Sequence, residues 1–151
     1  MQPAVTETAA RNGILFLFIA ILSVAGVVDS AIALQRHYAK SDTNFCDFSQ
    51  KFNCDIVNRS EYSSMAGIPV AGIGIAGYAA LFVLATVLQS RPETPIRLLA
   101  ASLAGLVFAL YLTYIEAYEL TTWCILCVLS LVLILLISIL ALMVKLRSRT
   151  V

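Results

Sequence analysis

CILCVLSLVLILLISILALMV, residues 124–144, is an unbroken apolar run with two cysteines spaced C-x-x-C in its first turn. A helix needs roughly 20 apolar residues to cross the hydrocarbon core of a bilayer, and this run supplies them without a single charge. Lys145, Arg147 and Arg149 follow directly. The rest of the chain matches: of its 151 residues 60% are hydrophobic and 13% charged, and the mean hydropathy is +0.90. A water-soluble domain of this length could not bury so much apolar surface, so the solvent is largely lipid.

Ahead of the run, residues 119–123 are too few for anything but a turn, so the preceding apolar segment, 96–118, forms an antiparallel hairpin with it. The stretch SRPETPIR, residues 90–97, carries two prolines, breaks the helical pattern and separates this segment from another at 67–88. Gly67, Ala71, Gly74 and Gly77 give that second segment a small-residue face suited to close helix packing. A further segment, 13–34, follows a polar start whose residues 1–12 lack the cleavage pattern of a signal peptide, so this helix is expected to stay in the membrane. The expected fold is an all-α integral membrane protein, a single domain over residues 1–151. It is a bundle of four transmembrane helices, 13–34, 67–88, 96–118 and 124–144, with one external loop, 35–66, between helices 1 and 2.

Charge sets the expected orientation. Arg11, Arg91, Arg97, Lys145, Arg147 and Arg149 all fall on one side of such a bundle, which the positive-inside rule makes cytoplasmic, with both termini there. The opposite side receives the loop, where Arg36, His37, Lys40, Lys51 and Arg59 are matched by Asp42, Asp47, Asp55 and Glu61. A formal net charge of +1 with no basic stripe argues against a nucleic-acid partner.

The four cysteines fall into two pairs on that external side, Cys46/Cys54 in the loop and Cys124/Cys127 at the start of helix 4. An even count in an oxidising compartment suggests pairing. A cysteine at a helix start meets unsatisfied backbone N–H groups and the positive end of the dipole, which favour its thiolate. Cys127, one turn deeper, stands where a lipid-borne oxidant such as a quinone could reach it. The loop pair, seven residues apart, is placed to carry electrons between a water-borne partner and the deeper pair. Two plainer readings stand beside this one: static disulfides, and a zinc site, for which a cysteine pair opening an apolar helix is poorly disposed. No metal ligand set is assigned.

The loop C-x7-C with its continuation CDIVNRS (residues 54–60), the GIP at 67–69 and the WCILC at 123–127 resemble the vitamin K epoxide reductase family, in particular its bacterial-type homologues. The resemblance runs over nearly the whole chain. It implies a four-helix bundle around a quinone pocket, with Cys124 and Cys127 as the active-site pair and Cys46 and Cys54 as a shuttle pair. On the same basis Cys127 adjoins the quinone, Cys54 exchanges with Cys124, Cys46 meets the partner protein, and Ser60 matches the loop Ser/Thr of the family. Ser60 could equally cap the short segment after it. Many bacterial members continue into a thioredoxin-like domain, whereas this chain ends at Val151, which implies a separate thioredoxin-like partner in the periplasm or a lumen. The tyrosine that vertebrate members carry shortly after the C-x-x-C is replaced here by Ser130 and Leu131, which points to a plain quinone of the ubiquinone, menaquinone or vitamin K type as oxidant. The expected location is the bacterial inner membrane, with the endoplasmic reticulum membrane as alternative.

Further candidates come from charges and aromatics within the spans. Asp29 and Glu116 are intramembrane acids near the external ends, functional candidates by default but also groups that could simply sit near water. Tyr111, Tyr114 and Tyr118 share a face of helix 3 and could bond a quinone carbonyl or form an interfacial belt. His37 is read as a loop histidine, and Asn58-Arg59-Ser60 fits a glycosylation sequon. The rival functions are a quinone-linked oxidase of the DsbB type, which carries its C-x-x-C in the first external loop instead, and a non-catalytic tetraspan protein with structural disulfides.

Overall fold

The computed structural model describes residues 3–39 and 46–149; Lys40 and Asp42 of the expected loop lie outside that range. Helix α1 (Pro3–Tyr38) is followed by a small hairpin, β1 (Asp47–Ser49) and β2 (Phe52–Asn53), and by the five-residue helix α2 (Cys54–Asn58). A 3-10 turn (Glu61–Ser63) leads into a second tiny hairpin, β3 (Ser64–Met65) and β4 (Ile68–Pro69), and then come α3 (Val70–Thr86), α4 (Thr94–Ile115), a π-helical turn (Glu116–Leu120) and α5 (Ile125–Arg149).

The long helices close into a ring in which α1 packs on α3 and α5, and α4 packs on α5 and α3. Neighbours run antiparallel. Leu15 and Phe16 near the start of α1 share one core with Leu81 and Ala85 late in α3, Leu98 early in α4, and Ala141 and Val144 late in α5. Large apolar side chains also cover the outside of the bundle, among them Leu17, Phe18, Val107 and Leu146, each more than half exposed. Helices apolar on all sides need a lipid solvent. Among the described residues three helices are long and apolar enough to cross a membrane, Asn12–Tyr38, Thr94–Leu120 and Ile125–Arg149.

Two helix boundaries differ from the expected ones. The segment expected to span from 67 to 88 is helical only over Val70–Thr86, 17 residues or about 25 Å at the α-helical rise, against a core of about 30 Å. It starts late because Ala66 and Gly67, at φ 51° and 82°, make the two-residue turn of the β3–β4 hairpin, and Pro69 occupies the N-cap. Helix α1 runs on to Tyr38, four residues past the expected end, so His37 is helical and not in a loop. Cations in a last turn suit the helix dipole, and here Arg36 is also claimed by the loop: its Nη1 lies 3.0 Å from Asp47 Oδ2 and 3.3 Å from Asp55 Oδ1. The third segment ends its α-helical course at Ile115, where the π turn widens the helix before Thr121 reverses it in the left-handed region at φ 48°. A β-branched residue rarely adopts that conformation.

Candidate active site

The loop is tied to the bundle in the segment just before the C-x-x-C. Trp123 N–H donates to the Lys51 carbonyl (2.8 Å) and Asn53 N–H to the Trp123 carbonyl (3.1 Å), so residues 51–53 run parallel to Trp123 as a single β-bridge. Asn53 then caps α2, its side-chain oxygen accepting the Ile56 N–H at 3.0 Å. These bonds, with the Arg36 ion pairs, fix where α2 begins. It begins with Cys54.

Cys54 and Cys124 are both fully buried, and they share one cluster with Cys46, Ala33, Val57 and Leu126. Cys46 and Cys54 form a disulfide, Cα atoms 5.6 Å apart, while Cys124 and Cys127 are free thiols. Asn58, one turn after Cys54, donates from Nδ2 to the Cys54 carbonyl (2.9 Å) and reaches Cys124 Sγ at 3.6 Å. Cys46 is 1% exposed and so sealed within the loop.

Cys124 stands just ahead of α5; its carbonyl accepts the Val128 N–H, the first helical bond, at 3.0 Å. The Cys127 thiol directed at its sulfur, together with the N–H groups of Cys127 and Leu126, holds Cys124 below the ordinary thiol pKa, against the opposing effects of burial and of the Glu116 charge. Glu116 projects from the π turn, and its Oε2 accepts the Cys124 backbone N–H at 3.0 Å. π turns of this kind recur at functional sites.

Within the ring, between the cysteine cluster and the apolar core, lies a cavity of about 400 Å³, of a size for a ligand headgroup. Cys127, Glu116, Asp29, Tyr78 and Ser130 are in its wall, and His37, Asn58 and Ser60 contribute toward the loop. Tyr78 Oη lies 2.9 Å from both the carbonyl and the hydroxyl of Ser130, so a phenol from α3 stands against α5 just beyond the C-x-x-C. Asp29 is 5% exposed and its Oδ1 has no hydrogen-bond partner among the described residues. His37 Nδ1 donates to the Asn58 carbonyl (2.6 Å) and lies 3.2 Å from the Ser63 hydroxyl.

The sequence-derived candidates thus divide. The four cysteines and Ser60 gather around one junction, and Asp29 faces the cavity. Tyr111 and Tyr114 do not line it; both are more than half exposed on the outside of α4, and Tyr114 stacks with Tyr118 at 4.7 Å. Ser60 does not cap the turn that follows it, its hydroxyl donating back to the Val57 carbonyl at 2.8 Å. Asn58 and Tyr78 are not legible as site residues in the sequence: the first reads as part of a sequon, the second as packing, and only the fold brings either to a cysteine or a cavity. Among the described residues no cluster of three or more metal-ligating side chains occurs.

No curated protein matches the chain. The family profile described as "Vitamin K epoxide reductase family" matches residues 17–142, which takes in every cysteine and all of the cavity wall. The chain belongs to the vitamin K epoxide reductase family.

Proposed function

We propose that this protein is a quinone-dependent thiol–disulfide oxidoreductase that makes disulfides in a separate thioredoxin-like partner, with Cys46/Cys54 as shuttle pair and Cys124/Cys127 as active-site pair. The observation that carries the reading is the continuity of the path: Cys54 and Cys124 are buried in one cluster with Asn58 touching both residues, and Cys127, one turn on, opens into the cavity.

In this scheme the dithiol of the partner attacks Cys46 and is oxidised, leaving Cys46 and Cys54 as thiols. Cys54 thiolate attacks Cys124 of an oxidised Cys124–Cys127 pair, and Cys127 leaves. Cys46 then attacks Cys54, restoring the loop disulfide and freeing Cys124. Each exchange conserves one disulfide. The arrangement with Cys46–Cys54 closed and Cys124/Cys127 reduced is the state that follows, with two electrons held beside the cavity. A quinone held there would supply the acceptor for both electrons and two protons, which would let Cys124 and Cys127 close again as a disulfide. Asp29 and the Tyr78–Ser130 pair are the polar groups available to orient its carbonyls. The reading includes four membrane crossings, α3 being the shortest, the cysteine side external and both termini cytoplasmic, in a bacterial inner membrane.

The test is quinone reduction by purified protein in lipid, driven by a reduced thioredoxin-like protein or by a small dithiol. Cys124→Ala and Cys127→Ala are expected to abolish turnover with both donors. Cys46→Ala and Cys54→Ala are expected to abolish it with the protein donor and to spare the small dithiol. Wild-type protein that reduces no quinone with either donor sinks the proposal in favour of structural disulfides.

A further inference from the structure

Thiol–disulfide exchange and electron delivery give Glu116 no task, yet its placement is costly. The side chain is 2% exposed in a segment apolar enough to span a membrane, where an acid is retained only for a reason. Its Oε2 holds the Cys124 N–H, the Cys127 thiol adjoins the same carboxyl, and Oε1 has no hydrogen-bond partner among the described residues although the carboxyl is part of the cavity wall. A neutral acceptor would satisfy one backbone N–H without burying an ionisable group. The free oxygen is what a proton carrier between the thiol and a cavity ligand requires.

We propose that Glu116 is a catalytic proton carrier, taking the thiol proton of Cys127 and delivering it to an oxygen of the quinone in the cavity. This rests on the quinone-dependent reading above. Oxidation of Cys124 and Cys127 forms one S–S bond and releases two electrons and two protons, and the quinone takes up both of each. Glu116 as carboxylate receives the Cys127 proton as the S–S bond forms and, as neutral acid, passes it to one quinone oxygen. The second proton, lost from Cys124 to water when its thiolate formed, is recovered from water by the other oxygen.

The test is Glu116→Gln in the full chain in lipid, with a short-chain quinone and a small dithiol as donor. Glutamine keeps an acceptor for the Cys124 N–H and removes only the proton. General acid–base groups are worth about 10²–10⁴-fold. The expected result is a fall in kcat of at least about 10²-fold, KM within about threefold, and Glu116→Asp faster than Glu116→Gln. Trapping of a Cys54–Cys124 mixed disulfide is expected at the wild-type rate. A Glu116→Gln protein that turns over within about threefold of wild type overturns the proposal, since a structural acceptor survives that change. If Glu116→Gln does not fold, wild type alone decides: infrared difference spectra on dithiol oxidation are expected to contain a deuterium-slow carboxyl band that moves on ¹³C labelling of glutamate, and its absence overturns the proposal. Wild type without quinone turnover would instead defeat the underlying reading, so the two failures are distinct.

Discussion

The Asn58 side-chain amide lies 3.6 Å from Cys124 Sγ, although the two residues are 66 positions apart and belong to the loop and the bundle respectively. The same nitrogen holds the Cys54 carbonyl at 2.9 Å, so a single group ties Cys54 to Cys124, which in the proposed relay would register the donor cysteine against the acceptor. Registration of this kind matters because an exchange reaction needs the attacking sulfur aligned with the bond it breaks, and small misplacements are expensive in rate.

Replacing Asn58 with Ala removes both contacts and leaves the Cys54 carbonyl short of a side-chain partner. A lost buried hydrogen bond is worth about 1–3 kcal/mol, or roughly 5- to 150-fold if expressed in the exchange step. Turnover with a thioredoxin-like donor is expected to fall by about that range, while turnover with a small dithiol that reduces Cys124–Cys127 directly stays near wild type. Equal loss with both donors would move Asn58 from registration to general packing.

The environment of Cys124 gives a pH prediction with a definite sign. The Cys127 thiol is the largest of the influences that hold Cys124 below the ordinary thiol value of about 8.5, with the α5 N–H groups acting in the same direction. Cys124 thiolate is therefore expected to persist below the pH at which a free thiol protonates, and to be lost only as pH falls through the lowered value. Ultraviolet thiolate absorbance of protein with the loop disulfide intact measures this. Cys127→Ala removes the main cause and is expected to move the midpoint upward, and an unchanged midpoint would leave the helix start as the sole source.

Arg36 is the ion-pair anchor of the loop, 5% exposed and facing Asp47 on β1 and Asp55 on α2. Both pairs are partly buried, so removing the guanidinium leaves two partly shielded carboxylates without a counter-charge, at a cost above the roughly 0–1 kcal/mol of an exposed pair. Arg36→Met is thus expected to loosen the β1–β2 hairpin before it unfolds the bundle. Amide exchange at residues 47–53 should accelerate, and a water-soluble phosphine should reduce Cys46–Cys54 faster than in wild type, since Cys46 is otherwise sealed. No acceleration at either site would mean that the β-bridge to Trp123 holds the loop alone.

How far the sequence reaches depends on whether a feature is local. The apolar runs, the prolines at Pro92 and Pro95 and the C-x-x-C at a helix start are local, and three helices and the Cys124 N-terminal position follow from them. The span at 67–88 is shorter than its hydropathy suggests because composition does not register that Ala66 and Gly67 form a hairpin turn. Tyr111 and Tyr114 illustrate the other limit: helical spacing puts them on one face, but whether that face looks inward depends on which neighbours α4 has. Asn58, Tyr78 and the Ser130 contact are products of tertiary packing and carry no signal in their own segments.

Gly26 shows how closely the cavity wall is set. A Cβ at this position would collide with the ring carbons of Tyr78, which is itself 5% exposed and held at its hydroxyl by Ser130. The ring cannot withdraw without giving up that bond or pushing into the cavity, because α1 and α3 meet directly there. Gly26→Ala is therefore expected to displace Tyr78 toward the space a quinone would fill. Overpacking of this kind costs about 1–3 kcal/mol in stability. The decisive readout is kinetic: KM for a short-chain quinone should rise several-fold while exchange between Cys54 and Cys124, on the far side of the cavity, proceeds at the wild-type rate. A loss of stability with unchanged KM would mean that Tyr78 supports the wall without bordering the bound quinone.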